Sequence, residues 1–295
     1  MSLRFHKTGI VALIQDRGRP GYRHWGVPES GPMDSISYEL AHALCGNNGD
    51  EALIEFTLHG AVIEFESNTL IALTGGGAQA LVNEVPLAYH TAHAIKKGDL
   101  LKLIPHSLGC RTYLAVQGGL KITPDLGSCS SYLPAQLGGL NGQALKPGDR
   151  IELNSISRKP SSPTQVEIKF DNPALHQNEI IVPIHQGPEW MWLDANMQSL
   201  FLQEKWRISP QSNRMGIQLL GTAIHKKEKK ELLSTGVMPG IIQLTPAGIP
   251  IILGADAQTI GGYPRIARTT LPALSIIGQC RPGVYIQFKL AEESI

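Results

Sequence analysis

The chain has 295 residues, 42% of them apolar and 17% charged, with a formal net charge of +1 at neutral pH. That composition excludes a disordered or fibrous chain, and the even charge balance gives no basic face for nucleic acid. No run of about 18 apolar residues occurs, so no membrane-spanning helix is expected, and the run Ile10–Ile14 is too short for a signal peptide.

In chain order, short β-branched runs alternate with turn residues, the pattern of a barrel or sandwich. Asp34 is a good N-cap for a helix with Ile36, Leu40, Ala41 and Leu44 on one face, and Gly46 is placed to end it. Strands follow at Ala61–Phe65, Thr69–Leu73, Leu100–Leu103, Tyr113–Val116 and Arg150–Leu153. Those at Leu100 and Arg150 follow the charged turns Lys97-Gly98-Asp99 and Lys146-Pro147-Gly148-Asp149. The polar segment Asn154–Thr164 reads as a linker, so residues 1–160 and 161–295 form two domains with a boundary between 155 and 175. Strand Ile180–Ile184 leads to a helix over Glu189–Leu202, preceded by Pro188. Lys226, Lys227, Lys229 and Lys230 form a solvated tip, and strands Ile241–Leu244, Pro250–Leu253 and Val284–Phe288 complete the set.

The halves share a faint internal match. Pro28–Met33 aligns with Pro210–Met215, Trp25 with Trp206, and Ala78-Gln79 with Ala257-Gln258, which points to duplication. The four cysteines, Cys45, Cys110, Cys129 and Cys280, lack CxxC spacing. They read as buried thiols in a reducing compartment, and the expected location is the cytoplasm.

Three loops at strand ends hold the candidate chemistry. Gln15–Tyr22 crowds an acid, arginines, an amide and glycines together; it suits an arginine clamp on a carboxylate or phosphate, or equally a structural Arg–Asp pair. Thr74-Gly75-Gly76-Gly77-Ala78 lacks the Lys-Ser/Thr of a P-loop, so it suggests close backbone approach rather than nucleotide binding. Asp256–Pro264 offers Gln258, Thr259 and Tyr263 for amide recognition, or is an ordinary polar loop. No nucleophile–base motif and no metal-ligand spacing occurs, so no metal is expected.

At these same loops the sequence resembles a known family. Ile14–Asp34, the TGGGA loop, Arg111–Leu120, Ser212–Gly216 and Gln258–Pro264 follow the order of the allophanate hydrolase subunit 2 family. That family is also called the biotin-dependent carboxyltransferase family and includes the C subunit of 5-oxoprolinase. The resemblance implies a mainly β fold of two cyclophilin-like barrel domains with a few short helices. It implies an ATP-dependent 5-oxoprolinase subunit that acts with a cyclophilin-like subunit 1 and a LamB/YcsF-type protein. ATP is used by the complex, and no covalent biotin is expected on this chain. Two alternatives stay open: a non-catalytic protein that sequesters a kinase-inhibitor-like subunit 1, and a carboxyltransferase or allophanate hydrolase-type subunit acting on urea-like amides.

The site expected from these loops has Asp16, Asp34 and Arg19 in catalysis and Gln15, Met33, Arg214, Gln258, Thr259 and Tyr263 in substrate binding. Arg19 and Arg214 suit a carboxylate or oxyanion, while Asp16 or Asp34 would orient groups or transfer a proton. Bracing of loops and capping of a helix is the competing role for Asp16, Arg19 and Asp34. Many relatives carry Arg where this chain has Gln117, Cys129 and Ala257, which removes three positive charges from the family pattern.

Overall fold

The computed structural model describes residues 1–106, 109–155, 172–227 and 231–292. The chain is mainly β and forms two compact units. The first comprises Met1–Arg19 and Ser30–Leu175, the second Pro20–Glu29 and His176–Ile295. The segment Pro20–Glu29, expected in the first domain, therefore belongs to the second unit. A boundary read from composition sees one change along the chain and cannot register such a detour. The linker candidate lies outside the described residues except for Asn154 and Ser155.

The first unit holds β1 (Ser2–Thr8), β2 (Val11–Gln15), helix α1 (Ser35–Cys45), β3 (Leu53–Thr57), β4 (Ala61–Phe65), β5 (Thr69–Gly75) and β6 (Ala78–Val82). It continues with β7 (Val85–Leu87), β8 (Ala92–Ile95), β9 (Leu100–Pro105), β10 (Arg111–Val116) and β11 (Arg150–Glu152). One sheet has the order β11-β1-β4-β9-β6-β7, the other β2-β3-β10-β5-β8. Inward residues of both, among them Phe5, Phe65, Leu101, Ile54, Ile71 and Leu114, form one core. The second sheet is covered on its other face too, where Leu53, Ala72, Tyr113 and Ala115 pack on Tyr38, Ala41 and Leu44 of α1. That double burial is why β5 and β10 are buried at every position, while β4 alternates buried and half-buried positions. Helix α1 starts at Asp34, whose side chain accepts from the Ser37 amide, and ends at left-handed Gly46.

The second unit holds β12 (Glu179–Gln186), α2 (Ala195–Gln203), β13 (Trp206–Ile208), β14 (Gly216–Leu220), β15 (Thr235–Gly236) and β16 (Ile241–Leu244). After these come β17 (Pro250–Leu253), β18 (Ile260–Gly261), β19 (Arg265–Thr269), α3 (Leu271–Gln279) and β20 (Tyr285–Leu290). Seven strands close a barrel in the order β12-β19-β16-β17-β14-β13-β20, sealed by the parallel pair β12–β20. β15 and β18 form a separate ribbon.

The helix expected over Glu189–Leu202 is broken. Residues Trp190–Trp192 make a 3₁₀ turn, Leu193 is extended, and Asp194 caps α2 by accepting from the Met197 amide at 2.8 Å. A local Asx cap competes with helix continuation, and here it wins. Helix α3 has no counterpart in the sequence reading, although Thr270 before Leu271-Pro272 is a legible start signal. The two aligned tryptophans sit in unlike settings: Trp25 is exposed in a 3₁₀ turn, whereas Trp206 is fully buried in β13 and donates to the Phe201 carbonyl.

Candidate functional site

In the first unit, the turn after β2 is closed by the segment 127–131. The Asp16 carboxylate accepts from the Gly18 amide at 2.8 Å, from Ser128 Oγ at 2.5 Å, from Ser130 Oγ at 2.6 Å and from the Cys129 amide at 2.5 Å. Oδ1 thus takes three local donors and Oδ2 one. Arg19 is fully buried, and its Nη2 donates to the Ser130 carbonyl. Gln15 is also fully buried; its amide nitrogen reaches the Ser131 carbonyl at 3.4 Å. Among the described residues, Gln15 Oε1 and Ser131 Oγ have no partner. Burial, then the Asp16 carboxylate, pushes the Cys129 thiol up to about 11, so this position is neutral at physiological pH.

Met33 and Asp34 sit over a buried network. The Met33 amide donates to Glu55 Oε2 at 2.9 Å, and the Asp34 amide donates to the Tyr113 hydroxyl at 2.8 Å. That hydroxyl donates to the same Glu55 oxygen at 2.8 Å, and Arg111 Nε stands 3.7 Å from Glu55 Oε1. Burial first, then Glu55 and Asp34, drives the Tyr113 phenol well above its ordinary value, so it stays a donor. The Asp34 carboxylate accepts from the Ser37 amide at 3.0 Å and Ser37 Oγ at 2.5 Å. Glu55, Tyr113 and Arg111 escape a reading of the sequence because they lie in apolar strands.

The glycine-rich loop lines a cavity of about 480 Å³ with Gln79, Leu81, Leu87, Tyr89 and His106. The Gly76 and Gly77 amides both donate to the Arg111 carbonyl, at 2.9 and 3.0 Å, so they form no phosphate cradle. A Cβ at Gly77 would come within 2.6 Å of the Cys110 carbonyl oxygen, which explains the glycine by close approach of two backbones.

In the second unit, Arg214 and Asp256 form a two-pronged pair, Nε to Oδ2 at 2.7 Å and Nη2 to Oδ1 at 2.9 Å. Gln258 Nε2 donates to Gln243 Oε1 at 3.3 Å, and Gln243 Nε2 donates to the Tyr263 carbonyl at 3.3 Å. The amides of this loop are thereby chained through buried Gln243, a strand residue whose polarity is a usable signal. Thr259 accepts from the Val237 amide through its carbonyl at 3.0 Å, and the Tyr263 ring is partly exposed. Arg265 makes a second two-pronged pair with Glu189, at 2.9 and 2.8 Å. Burial raises Glu189, yet the Arg265 hydrogen bonds and charge prevail and hold its carboxyl below the ordinary value. Arg23 Nη2 donates to the Val237 carbonyl.

The Carboxyltransferase domain, subdomain A and B, matches residues 25–290. The chain belongs to this carboxyltransferase family. It is 37% identical to the C subunit of 5-oxoprolinase from Escherichia coli (strain K12) over 266 residues, which is 90% of this chain and 83% of that protein. It is 31% identical to the Haemophilus influenzae protein of the same name over 280 residues, 94% of this chain and 87% of that one. The crystal structure of the K. lactis urea amidolyase superposes with a TM-score of 0.90 at 29% identity, covering 99% of this chain and 19% of that chain.

As a carboxyltransferase-family protein, the chain departs from the expected arginine pattern in an informative way. Ala257 is fully buried and packs with Val237 and Leu253, so the position is part of a small apolar cluster. Among the described residues, no group of three or more His, Cys, Asp or Glu side chains is placed to hold a metal ion, and no helix is long and apolar enough to cross a membrane.

Proposed function

We propose that this chain is a subunit of an ATP-dependent 5-oxoprolinase, which converts 5-oxo-L-proline, ATP and water to L-glutamate, ADP and phosphate. The observation that carries this reading is the extent of the match: the C subunit of the E. coli 5-oxoprolinase is matched over 83% of its length, the urea amidolyase chain over 19%. The partners in this reading are a cyclophilin-like subunit 1 and a LamB/YcsF-type protein, in the cytoplasm.

Amide resonance protects the lactam, so the complex uses ATP to activate its carbonyl oxygen. The Gly76 and Gly77 amides of the Thr74–Ala78 loop are bonded internally, so this loop would not hold the nucleotide. In the second unit, Gln258, Thr259 and Tyr263 would recognise the lactam amide, and Arg214, fixed by Asp256, would face developing negative charge. In the first unit, Gln15, Asp16, Arg19, Met33 and Asp34 would shape their own loops, with Asp16 and Asp34 orienting backbone rather than exchanging protons, because their oxygens already accept local hydrogen bonds.

The test is coexpression of this chain with its genomic neighbours and an assay of glutamate release from 5-oxoproline. ATP-dependent release that disappears when this chain is omitted is the expected result. Release that survives the omission, or an intact complex with none, refutes the proposal.

A further inference from the structure

The detour of Pro20–Glu29 onto the second unit is not explained by packing. Ordering ten residues costs conformational entropy, about 1–2 kcal/mol for each backbone unit. Of the larger side chains in the detour, Trp25 is 69% exposed, Tyr22 and Val27 are half-buried, and only Pro28 is buried. What the detour does deliver is a guanidinium. Arg23 Nη2 is anchored on the Val237 carbonyl, while Arg23 Nη1 is buried and has no hydrogen-bond partner among the described residues.

The charge balance of this region makes Arg23 different from its neighbours. Arg214 is matched by Asp256 and Arg265 by Glu189. Arg23 has no carboxylate within ion-pair distance among the described residues. A second buried polar atom without a partner, Thr235 Oγ1, lies two residues before the carbonyl that anchors Arg23. Gly236, between them, is exposed, so this strand lies at the surface of the second unit. A buried guanidinium edge without an acceptor is costly, and an anion that accepts from it relieves that cost.

We infer that Arg23, with Thr235, is an anion-binding site of the second unit, and that it takes the carboxylate of the lactam substrate. The substrate assignment rests on the 5-oxoprolinase reading; the anion site does not. The guanidinium supplies Nη1–H to one carboxylate oxygen, and Thr235 Oγ–H supplies a second donor. The loop that carries Gln258 and Thr259 is tied to the same segment through the Val237 amide, which brings amide-recognising and carboxylate-recognising groups into one loop system.

The experiment titrates the full chain, alone and in the complex, with 5-oxoproline and with 2-pyrrolidinone, the same ring without the carboxylate. Arg23→Gln is expected to weaken 5-oxoproline binding about tenfold or more, as loss of a charge-assisted hydrogen bond implies, and to leave 2-pyrrolidinone unchanged. Equal binding of 5-oxoproline by wild type and Arg23→Gln overturns the site. Should Arg23→Gln melt early because the anchor to Val237 is lost, Thr235→Val, which keeps that anchor, decides: unchanged affinity for 5-oxoproline overturns the proposal. If acetate binds in an Arg23-dependent way but 5-oxoproline does not, the anion site stands and the oxoprolinase reading falls. If the complex hydrolyses 5-oxoproline with the same KM in Arg23→Gln, the reading stands and the site falls.

Discussion

Asp16 and Arg23 belong to one turn-rich stretch of sequence, yet they fall in different units and use their charge in opposite ways. Around Asp16 the partners belong to the same unit: backbone amides and serine hydroxyls fill the carboxylate, and Arg19 lies buried against the Ser130 carbonyl. Around Arg23, one edge of the guanidinium is held and the other has no acceptor among the described residues. A charge surrounded by its own donors braces a fold. A buried cationic donor with nothing to meet is stabilised by an anion that accepts from it.

Measurement can break this contrast, and the largest effect is expected inside the first unit. Glu55→Ala removes the carboxylate beside the buried Arg111 guanidinium and the acceptor of Tyr113, so a loss of about 3–5 kcal/mol in urea unfolding is expected. A loss below about 1 kcal/mol would show that the network is dispensable. Asp16→Ala removes the carboxylate that accepts from the Ser128 and Ser130 hydroxyls and the Cys129 amide, at an expected cost of about 3 kcal/mol. Full stability with lost glutamate release would instead make Asp16 a chemical group and collapse the contrast with Arg23. Asp34→Ala should cost about 1–2 kcal/mol, the value of a helix cap, read from the thermal midpoint.

The matched pair in the second unit gives a smaller, pH-dependent effect. The Glu189 carboxyl lies below its ordinary value when folded, so its stabilisation is present above the unfolded carboxylate pKa and is lost as pH falls through the folded value. Urea midpoints of wild type should therefore drop faster than those of Glu189→Gln on going from neutral pH to below the ordinary glutamate range. Parallel curves would contradict the assignment. The smallest stability change is expected for Thr235→Val, because no hydrogen bond is lost; a cost of more than about 1 kcal/mol would mean that Oγ1 is already satisfied in the native protein.

Much of the fold is legible in the sequence. The strands Ala61–Phe65, Ile241–Leu244 and Pro250–Leu253 have the bounds their apolar runs suggest, and α1 begins at Asp34 and ends at Gly46 as its caps require. Local rules suffice there, because a pleated or helical segment shows its period wherever one face is buried. The helix break at Leu193 and Asp194 is not legible in the same way, because an apolar run and an Asx cap compete for the same residues.

The loops that carry the family resemblance stand out as polar segments at strand ends, and their residues can be picked by type. By itself the sequence determined the mainly β class, the caps and turns, and which loops hold charge, since each depends on a few neighbouring residues. Tertiary structure decided what each charge does. Whether Asp16 is free or filled depends on Ser128 and Ser130, whether Arg214 is matched depends on Asp256, and whether Arg23 has an acceptor depends on the segment it meets at Val237. Those partners are remote in sequence, and the pairing of a polar group is a property of the space around it rather than of its neighbours along the chain.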